Sequence, residues 1–427
     1  MDISWDKIKT EAVNYLQDYI RIATVNPPGR EKPAADFLGA ILKGEGLEIE
    51  TYAAEPERPN IICRLKGDGS RQGLILLHHM DVVPVEPEKW SVDPFGGEIK
   101  DGFLWGRGTL DMKGLGILEL MAFLLVKRLS LPLKRDLIYM AVADEETGGE
   151  SGAVWLIENH PDRCGAEYLL NEGGTGWKTD ALSGFFCGIG EKGPLWLRLW
   201  VEGPAGHGSV PLDGNACVRL VNALKRIADH EQPFQIVPEM RASLAKVGLG
   251  PQVSPEDLSG HEMLASPSMA AMFHNTVSLT GLTAGQKVNV IPSMAEATID
   301  CRLLPGVDEA DFITELKRII ADDNVRIEVI QGFQASSSPP DTEMYQALEE
   351  ALNESYPGVP VFPVISPGFT DSRCFRKIGC HCYGLYPILV DRDILSTTHG
   401  HDERLPLDGL EKGIKVIFDM IRRLNDV

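Results

Sequence analysis

The chain has 427 residues, 43% of them apolar and 24% charged, the composition of a globular protein with room for two or three domains. Its 41 basic and 62 acidic residues leave a formal net charge of -21. That excludes nucleic acid and anionic membranes as expected partners, because both reward clustered Lys and Arg.

No stretch reads as a transmembrane helix. The N-terminal segment MDISWDKIKTEAVNYLQDYI lacks the continuous apolar core of a signal peptide. Ile8, Val13, Leu16 and Ile20 fall near one face, which predicts an amphipathic helix. The eight cysteines contain no Cys-x-x-Cys pair. Cys380 and Cys382 flank His381 and could be read as a soft metal site, but reduced, buried thiols of a cytoplasmic protein are the preferred reading.

Strand-like and helix-like segments then alternate. GLILLHHMDVV predicts a strand, MKGLGILELMAFLLVKRL a helix, DLIYMAVADEE a strand, SGAVWLIENH a helix and AEYLLNEGG a strand. This order predicts an α/β fold with a mostly parallel sheet flanked by helices. Near Gly193-Pro194 the character changes. LWLRLWVEG, NACVRLVNALKRIADH, TVSLTGL, EATIDCRLL, EADFITELKRIIADD and VRIEVIQG follow as βαββαβ, a ferredoxin-like split unit. The expected organisation is therefore a catalytic domain from 1–192 and 333–427, with 193–332 inserted as an α+β domain. Segment 231–272 interrupts the pattern, as a lid, an interface element or a plain surface excursion. MYQALEEALNESY, YGLYPILV and a final helix return the chain to the first domain.

Several apolar runs end in acids or histidines: His79 and Asp81 in LILLHHMDVVP, Glu145 and Glu146 in IYMAVADEETGG, Glu172 in YLLNEGG. Asp111 in GRGTLDMKG and His399 in STTHGHDERL complete the set. Open α/β sheets place their sites beyond the carboxyl ends of the strands. Histidines with several carboxylates suit zinc, manganese or cobalt. His79 and Asp81 are two apart at a strand end and share a side, whereas His78 points the other way and is structural. GRGTLD is not a dinucleotide loop, because Asp111 occupies the third glycine's place and no strand clearly precedes it. Taken singly, Asp111 could be a helix cap and Glu145-Glu146 a solvated acidic turn beside Asp144 and Glu150. As adjacent acids on an extended segment, Glu145 and Glu146 would face different ways, one toward metal and one free as a base. In HGHDERL either His399 or His401 could ligate.

The motifs H-x-D-V-V-P, G-R-G-T-x-D-M-K-G, D-E-E-x-G-G, N-E-G-G, G-H-x-S-x-P and H-x-x-D-E together resemble those of the dizinc aminoacylase/carboxypeptidase superfamily. That group includes carboxypeptidases G and S, aminoacylase, acetylornithine deacetylase and succinyl-diaminopimelate desuccinylase. The resemblance spans nearly the whole chain. It implies a zinc-peptidase-like catalytic domain, an inserted lid or dimerisation domain and two Zn2+ per chain, with Co2+ or Mn2+ as substitutes. Asp111 would bridge the metals, His79 and Glu172 completing one site and Glu146 and His399 the other. His399 is preferred over His401 by its spacing before Asp402-Glu403. Asp81 would orient His79, and Glu145 would be the general base that deprotonates a metal-bridging water. The family also tends to carry a cis peptide after the bridging Asp, here Asp111-Met112.

In the inserted domain the resemblance gives His207 a role in steadying the oxyanion in a neighbouring subunit's site. Asn289 and Arg302 match substrate-contacting positions, although Arg302 could instead pair with Asp300 or Glu296 on its own sheet. Arg373 matches a position that grips a substrate carboxylate, work that suits the guanidinium fork. Gly368 would let the backbone approach the ligand. The implied activity is hydrolysis of an N-acyl-amino acid bearing a free carboxylate, by a cytoplasmic homodimer. A dipeptidase or carboxypeptidase is the alternative; Trp90, Phe95, Trp105 and Trp177 hint at apolar surface near the site but serve a core equally well. A non-catalytic, ligand-binding relative would have lost a ligand or the base, and every such position is filled here.

Overall fold

The computed structural model describes residues 3–178, 183–246, 248–250, 252–259 and 267–427. Two compact units form: Met1–Ile189 with Ser338–Val364 and Thr370–Val427, and Gly190–Ser337 with Ile365–Phe369.

The first unit is built on a sheet whose order is Ile49–Ala53, Pro59–Leu65, Leu137–Val142, Leu74–His79, Tyr168–Lys178, His381–Asp391, Ser183–Glu191, with Val361–Ser366 also paired to the last. The four middle strands run parallel to one another. The flanking pairs are antiparallel. The parallel expectation thus holds at the centre, where helices carry the crossovers, and stops at the edges. Ile49–Ala53 with Pro59–Leu65, and Tyr168–Lys178 with Ser183–Glu191, are joined by connections too short for a crossover, and such a connection can join only antiparallel strands. Leu74–His79 and Leu137–Val142 are buried at every position, as strands covered on both faces must be. Helix Lys113–Arg128 is buried from Lys113 through Val126, which explains why it reads as apolar almost all round. It packs against Trp5–Ile20 and Leu410–Arg423.

Two local expectations change. Glu145–Thr147 forms one tight helical turn rather than extended chain, entered through Asp144 at φ 70° and left through Gly148 at φ 112°. A three-residue strand, Phe103–Trp105, does precede the GRGTLD turn, pairing with Glu98–Lys100 and Arg404–Pro406.

The second unit has the order Thr276–Ala284, Met294–Leu303, Gly193–Glu202, Arg326–Gly332, antiparallel throughout. With helices Ala216–Asp229 and Glu309–Ile320 in chain order, this is the ferredoxin-like βαββαβ arrangement. Alternation sets its core: Ala295, Ala297, Ile299, Cys301 and Leu303 face inward with Leu195, Leu197 and Leu199, against Leu220 and Leu316 of the helices. Asn215 and Asp308 cap the two helices by accepting backbone N–H groups, each cap worth about 1 kcal/mol. Within 231–272 the described residues form short turns and helices, including Pro238–Met240, Arg241–Lys246 and Pro255–Ser259; positions 247, 251 and 260–266 of that segment lie outside the described residues.

Candidate metal centre

Each group of the centre arrives by local structure. His79 is the last residue of its strand, and Glu172 lies within Tyr168–Lys178, the next strand in the sheet. Asp111 comes from the turn before helix Lys113–Arg128, and Glu145 and Glu146 from the tight turn after Leu137–Val142. His399 lies on the loop after Arg392–Leu395, in the left-handed region at φ 59°.

These residues converge around Asp111. Its Oδ1 is 3.1 Å from His79 Nε2, and its Oδ2 is 2.9 Å from His399 Nε2. His79 Nε2 also lies 3.5 Å from Glu172 Oε1, and His399 Nε2 lies 3.4 Å from Glu146 Oε2. One carboxylate therefore stands between two half-sites, one with His79 and Glu172, the other with Glu146 and His399. Ligand atoms of His79, Glu145 and Glu172 lie within 4.8 Å of one another, as do those of His79, Asp111 and Glu146. His401 faces elsewhere, its Nε2 3.5 Å from Glu86.

The electrostatics fit a cation centre. Burial and then the Asp111 charge push Glu172 up to about 8. Burial and then the Glu172 charge hold Glu145 well above the carboxylate range. Hydrogen bonds to Asp111 and Glu146 raise His399 to about 10. Burial alone would raise Asp111, but the bonds to His399 and His79 outweigh it and keep that carboxyl low. Glu146 Oε1 is buried with no hydrogen-bond partner among the described residues. Crowded acids that raise one another, with a buried carboxylate oxygen left without a partner among the described residues, are what a divalent cation would relieve. The donor set of imidazole and carboxylate fits zinc, cobalt or manganese.

Asp81 lies against His79 and also holds the neighbouring turn. The ring Nδ1 of His79 is closer to the Asp81 backbone oxygen, 3.0 Å, than to its carboxylate, 3.5 Å. The carboxylate also accepts the backbone N–H groups of Glu145 and Glu146, at 3.2 and 3.1 Å, and Nδ2 of Asn26 at 2.8 Å. Asn26 also donates to Asp144, which pairs with Arg58. Asp144 is therefore a buried strut and not part of a solvated turn. The Asp111-Met112 peptide is cis, as the resemblance implied. His78 is buried behind the site, 3.3 Å from the Tyr19 hydroxyl.

Arg373 lies in the first unit, buried, with Nη2 donating to the carbonyl of Gly148 at 2.6 Å. His207, Asn289, Arg302 and Gly368 belong to the second unit. There His207 and Asn289 are brought together, Gly208 donating to the Asn289 carbonyl at 2.8 Å and His207 pairing with Val290. His207 Nδ1 accepts from the Ser209 backbone at 3.2 Å. Arg302 makes the ion pair weighed as its alternative, donating to Asp300 at 2.7 and 2.9 Å, and its guanidinium lies 5.3 Å from the ring of Phe369, next to Gly368. Gly368 itself is open, a Cβ there meeting only Ser366 Oγ at 3.8 Å. Trp90 and Trp105 are covered by Arg107 and Arg404, and Trp177 stacks on Phe186, so these aromatics are accounted for by packing.

Sequence reasoning missed Asn26, Arg58, Arg107 and Glu403 as supports of the centre. Arg107 and Glu403 stand inside motifs that were quoted for their neighbours; Asn26 and Arg58 carry no local signal.

A parallel-centred α/β sheet with paired histidine and carboxylate half-sites at its strand ends defines a metallohydrolase-type centre. The chain belongs to peptidase family M20/M25/M40, whose sequence profile matches residues 75–423. It is 30% identical over 379 residues to human N-fatty-acyl-amino acid synthase/hydrolase PM20D1, covering 83% of this chain and 74% of that protein. It is 27% identical over 424 residues to mouse aminoacylase-1, covering 97% and 96%. The fold matches an M20 family metallo-carboxypeptidase of Sulfolobus solfataricus with a TM-score of 0.77 at 19% identity, over 98% of this chain and 100% of that one.

Proposed function

We propose that this enzyme is a dinuclear metal amidohydrolase that releases an amino acid from an N-acyl-amino acid. The observation that carries the proposal is the placement of His79 and His399 on opposite oxygens of Asp111. His79 and Glu172 would hold one cation, Glu146 and His399 the other, with Asp111 shared. Two Zn2+, or Co2+ or Mn2+, would supply Lewis acidity toward the amide carbonyl and acidify a water at neutral pH. The chain's own groups do the rest. Glu145, raised by burial, is suited to take a proton from the attacking water and return it to the leaving amine. His207 accepts a backbone N–H at Nδ1, which leaves Nε2 as the protonated nitrogen and a donor for the developing oxyanion. Its supply from a partner subunit, and a homodimer through the second unit, are part of the proposal. Arg373 would hold the substrate carboxylate; its guanidinium is fixed to Gly148, two residues beyond Glu146. Arg302, Asn289 and Gly368 would complete the substrate contacts. The free cysteines, eight of eight, support a reducing, cytoplasmic setting.

The N-acyl reading is favoured by the relatives that match along most of their length, one named for N-fatty-acyl-amino acids and one an aminoacylase. A dipeptidase or carboxypeptidase is the second reading, favoured by a Dictyostelium discoideum relative called probable carboxypeptidase S-like 2, 30% identical. The test is metal content per chain, run beside hydrolysis of a panel of N-acyl-amino acids and dipeptides with and without chelator. About two divalent ions per chain and chelator-sensitive amide cleavage are expected, with acyl substrates preferred. A chain that binds no zinc, cobalt or manganese and cleaves nothing would refute it.

A further inference from the structure

The two ligand-bearing loops of the centre, Asp111 and His399, are far apart in the chain, and a buried ion pair joins them. Glu403 is fully buried. Its carboxylate accepts the backbone N–H of Gly108 at 3.1 Å, of Leu110 at 2.7 Å and of Asp111 at 3.2 Å. It also accepts Nη1 of Arg107 at 2.6 Å. The other arm of that guanidinium, Nη2, donates at 2.8 Å to the carbonyl of Gly400, the residue after His399. Arg107 is 2% exposed and lies 5.4 Å from the ring of Trp90.

The loop so held is not one the backbone would choose. His399 and Asp402 both sit at φ 59°, where residues other than glycine are uncommon. Asp402 is tied down through Ser91, which donates to it from both its backbone and its hydroxyl at 2.7 Å. The His399 side chain is 52% exposed, so packing does little to aim it.

We infer that Arg107 and Glu403 are positioning residues, a strap that keeps the Asp111 turn and the His399 loop in one register around a shared cation. The inference deepens the proposed function and rests on its metal centre. The fork of an arginine is what the strap needs, since from the Asp111 turn one arm reaches Glu403 and the other Gly400, both on the segment that carries His399. A lysine could satisfy the first partner as a point charge but has no rigid second arm for the other. The strap is also one-sided. His79 and Glu172 come from the strands Leu74–His79 and Tyr168–Lys178, which the sheet itself holds, so of the groups around the shared Asp111 it is His399 whose loop is tied by Arg107, and the half-site containing it depends on Arg107 the more.

The experiment is a zinc titration of metal-stripped protein against a chromophoric chelator, with wild type, Arg107→Lys and, as marker of the dependent half-site, His399→Ala. Wild type should show two sites. Arg107→Lys should keep one unchanged and weaken the other by about 10–100-fold, and the weakened site should be the one that His399→Ala removes. Glu403→Gln, which keeps size and one carbonyl acceptor, is the second variant and should weaken the same site, so a folding failure of the first leaves the inference testable. Equal weakening of both sites, or two unaltered sites, in a folded variant would overturn the strap while leaving the proposed function intact. Wild type that binds none of zinc, cobalt and manganese would instead refute the proposed function, and the strap with it.

Discussion

The carboxylate of Asp81 accepts the backbone N–H of Glu146 at 3.1 Å. Through this bond and its partner to Glu145, one buried acid holds the turn that carries two site carboxylates, while the same carboxylate lies 3.5 Å from Nδ1 of His79. Asp81→Ala should therefore disturb both half-sites at once. Metal affinity is expected to fall about 10–100-fold, as for other groups that orient ligands. A competition titration checks this, and an unchanged affinity would show that the turn holds itself.

Glu145→Ala separates chemistry from metal binding. In the proposed mechanism Glu145 moves a proton and does not hold the cations, so both metals should remain bound while kcat falls about 10²–10⁴-fold. Metal analysis beside single-turnover kinetics reads the two effects independently; retained turnover would remove Glu145 from the mechanism.

Removal of metal should destabilise the first unit. The raised carboxyls of Glu145, Glu146 and Glu172 lose the charge that would offset their crowding. A ligand present at a hundred times its Kd adds about 2.7 kcal/mol to folding. Dialysis against chelator is expected to lower the thermal midpoint by several degrees, and readdition of zinc should restore it.

The second unit offers a pH test away from the centre. Lys192 is buried, donating to the carbonyls of Ala271 and His274 at 3.1 and 2.9 Å and to Thr276 Oγ1 at 3.1 Å. Burial, then repulsion from Arg302, lowers its ammonium from 10.5 to about 7. Between those values the folded chain binds fewer protons than the unfolded one, so stability rises with pH across that window, and the penalty is full below it. The midpoint of wild type relative to Lys192→Met should improve by a few degrees from pH 7 to pH 10. A pH-independent difference would contradict the lowered value.

His207→Ala should cost about 10²–10³-fold in kcat, the loss typical of one oxyanion donor, with metal content unchanged. Sedimentation of the wild type checks the rest of that proposal, since a fully active monomer would exclude a donor from a partner subunit.

Much of this architecture was legible in the chain itself. Short apolar runs such as LILL and LIYMAV read as strands covered on both faces, and the alternation in EATIDCRLL reads as a strand with one buried face, as the structure has them. Ligand types at the ends of such runs marked a metal centre, because side-chain direction within a strand follows from local periodicity. The extended reading of Glu145 and Glu146 failed because a left-handed Asp144 folds that segment into a turn, and its support is Arg58 and Asn26 from distant segments. Composition, period and residue spacing thus determined the α/β core, the βαββαβ unit and the list of candidate ligands. Tertiary structure decided that His399 meets Asp111 while His401 turns to Glu86, that Arg302 pairs with Asp300, and that Arg107 and Glu403, 296 residues apart, close on one another. These outcomes depend on loop backbone angles and on partners remote in the chain, and local periodicity encodes neither.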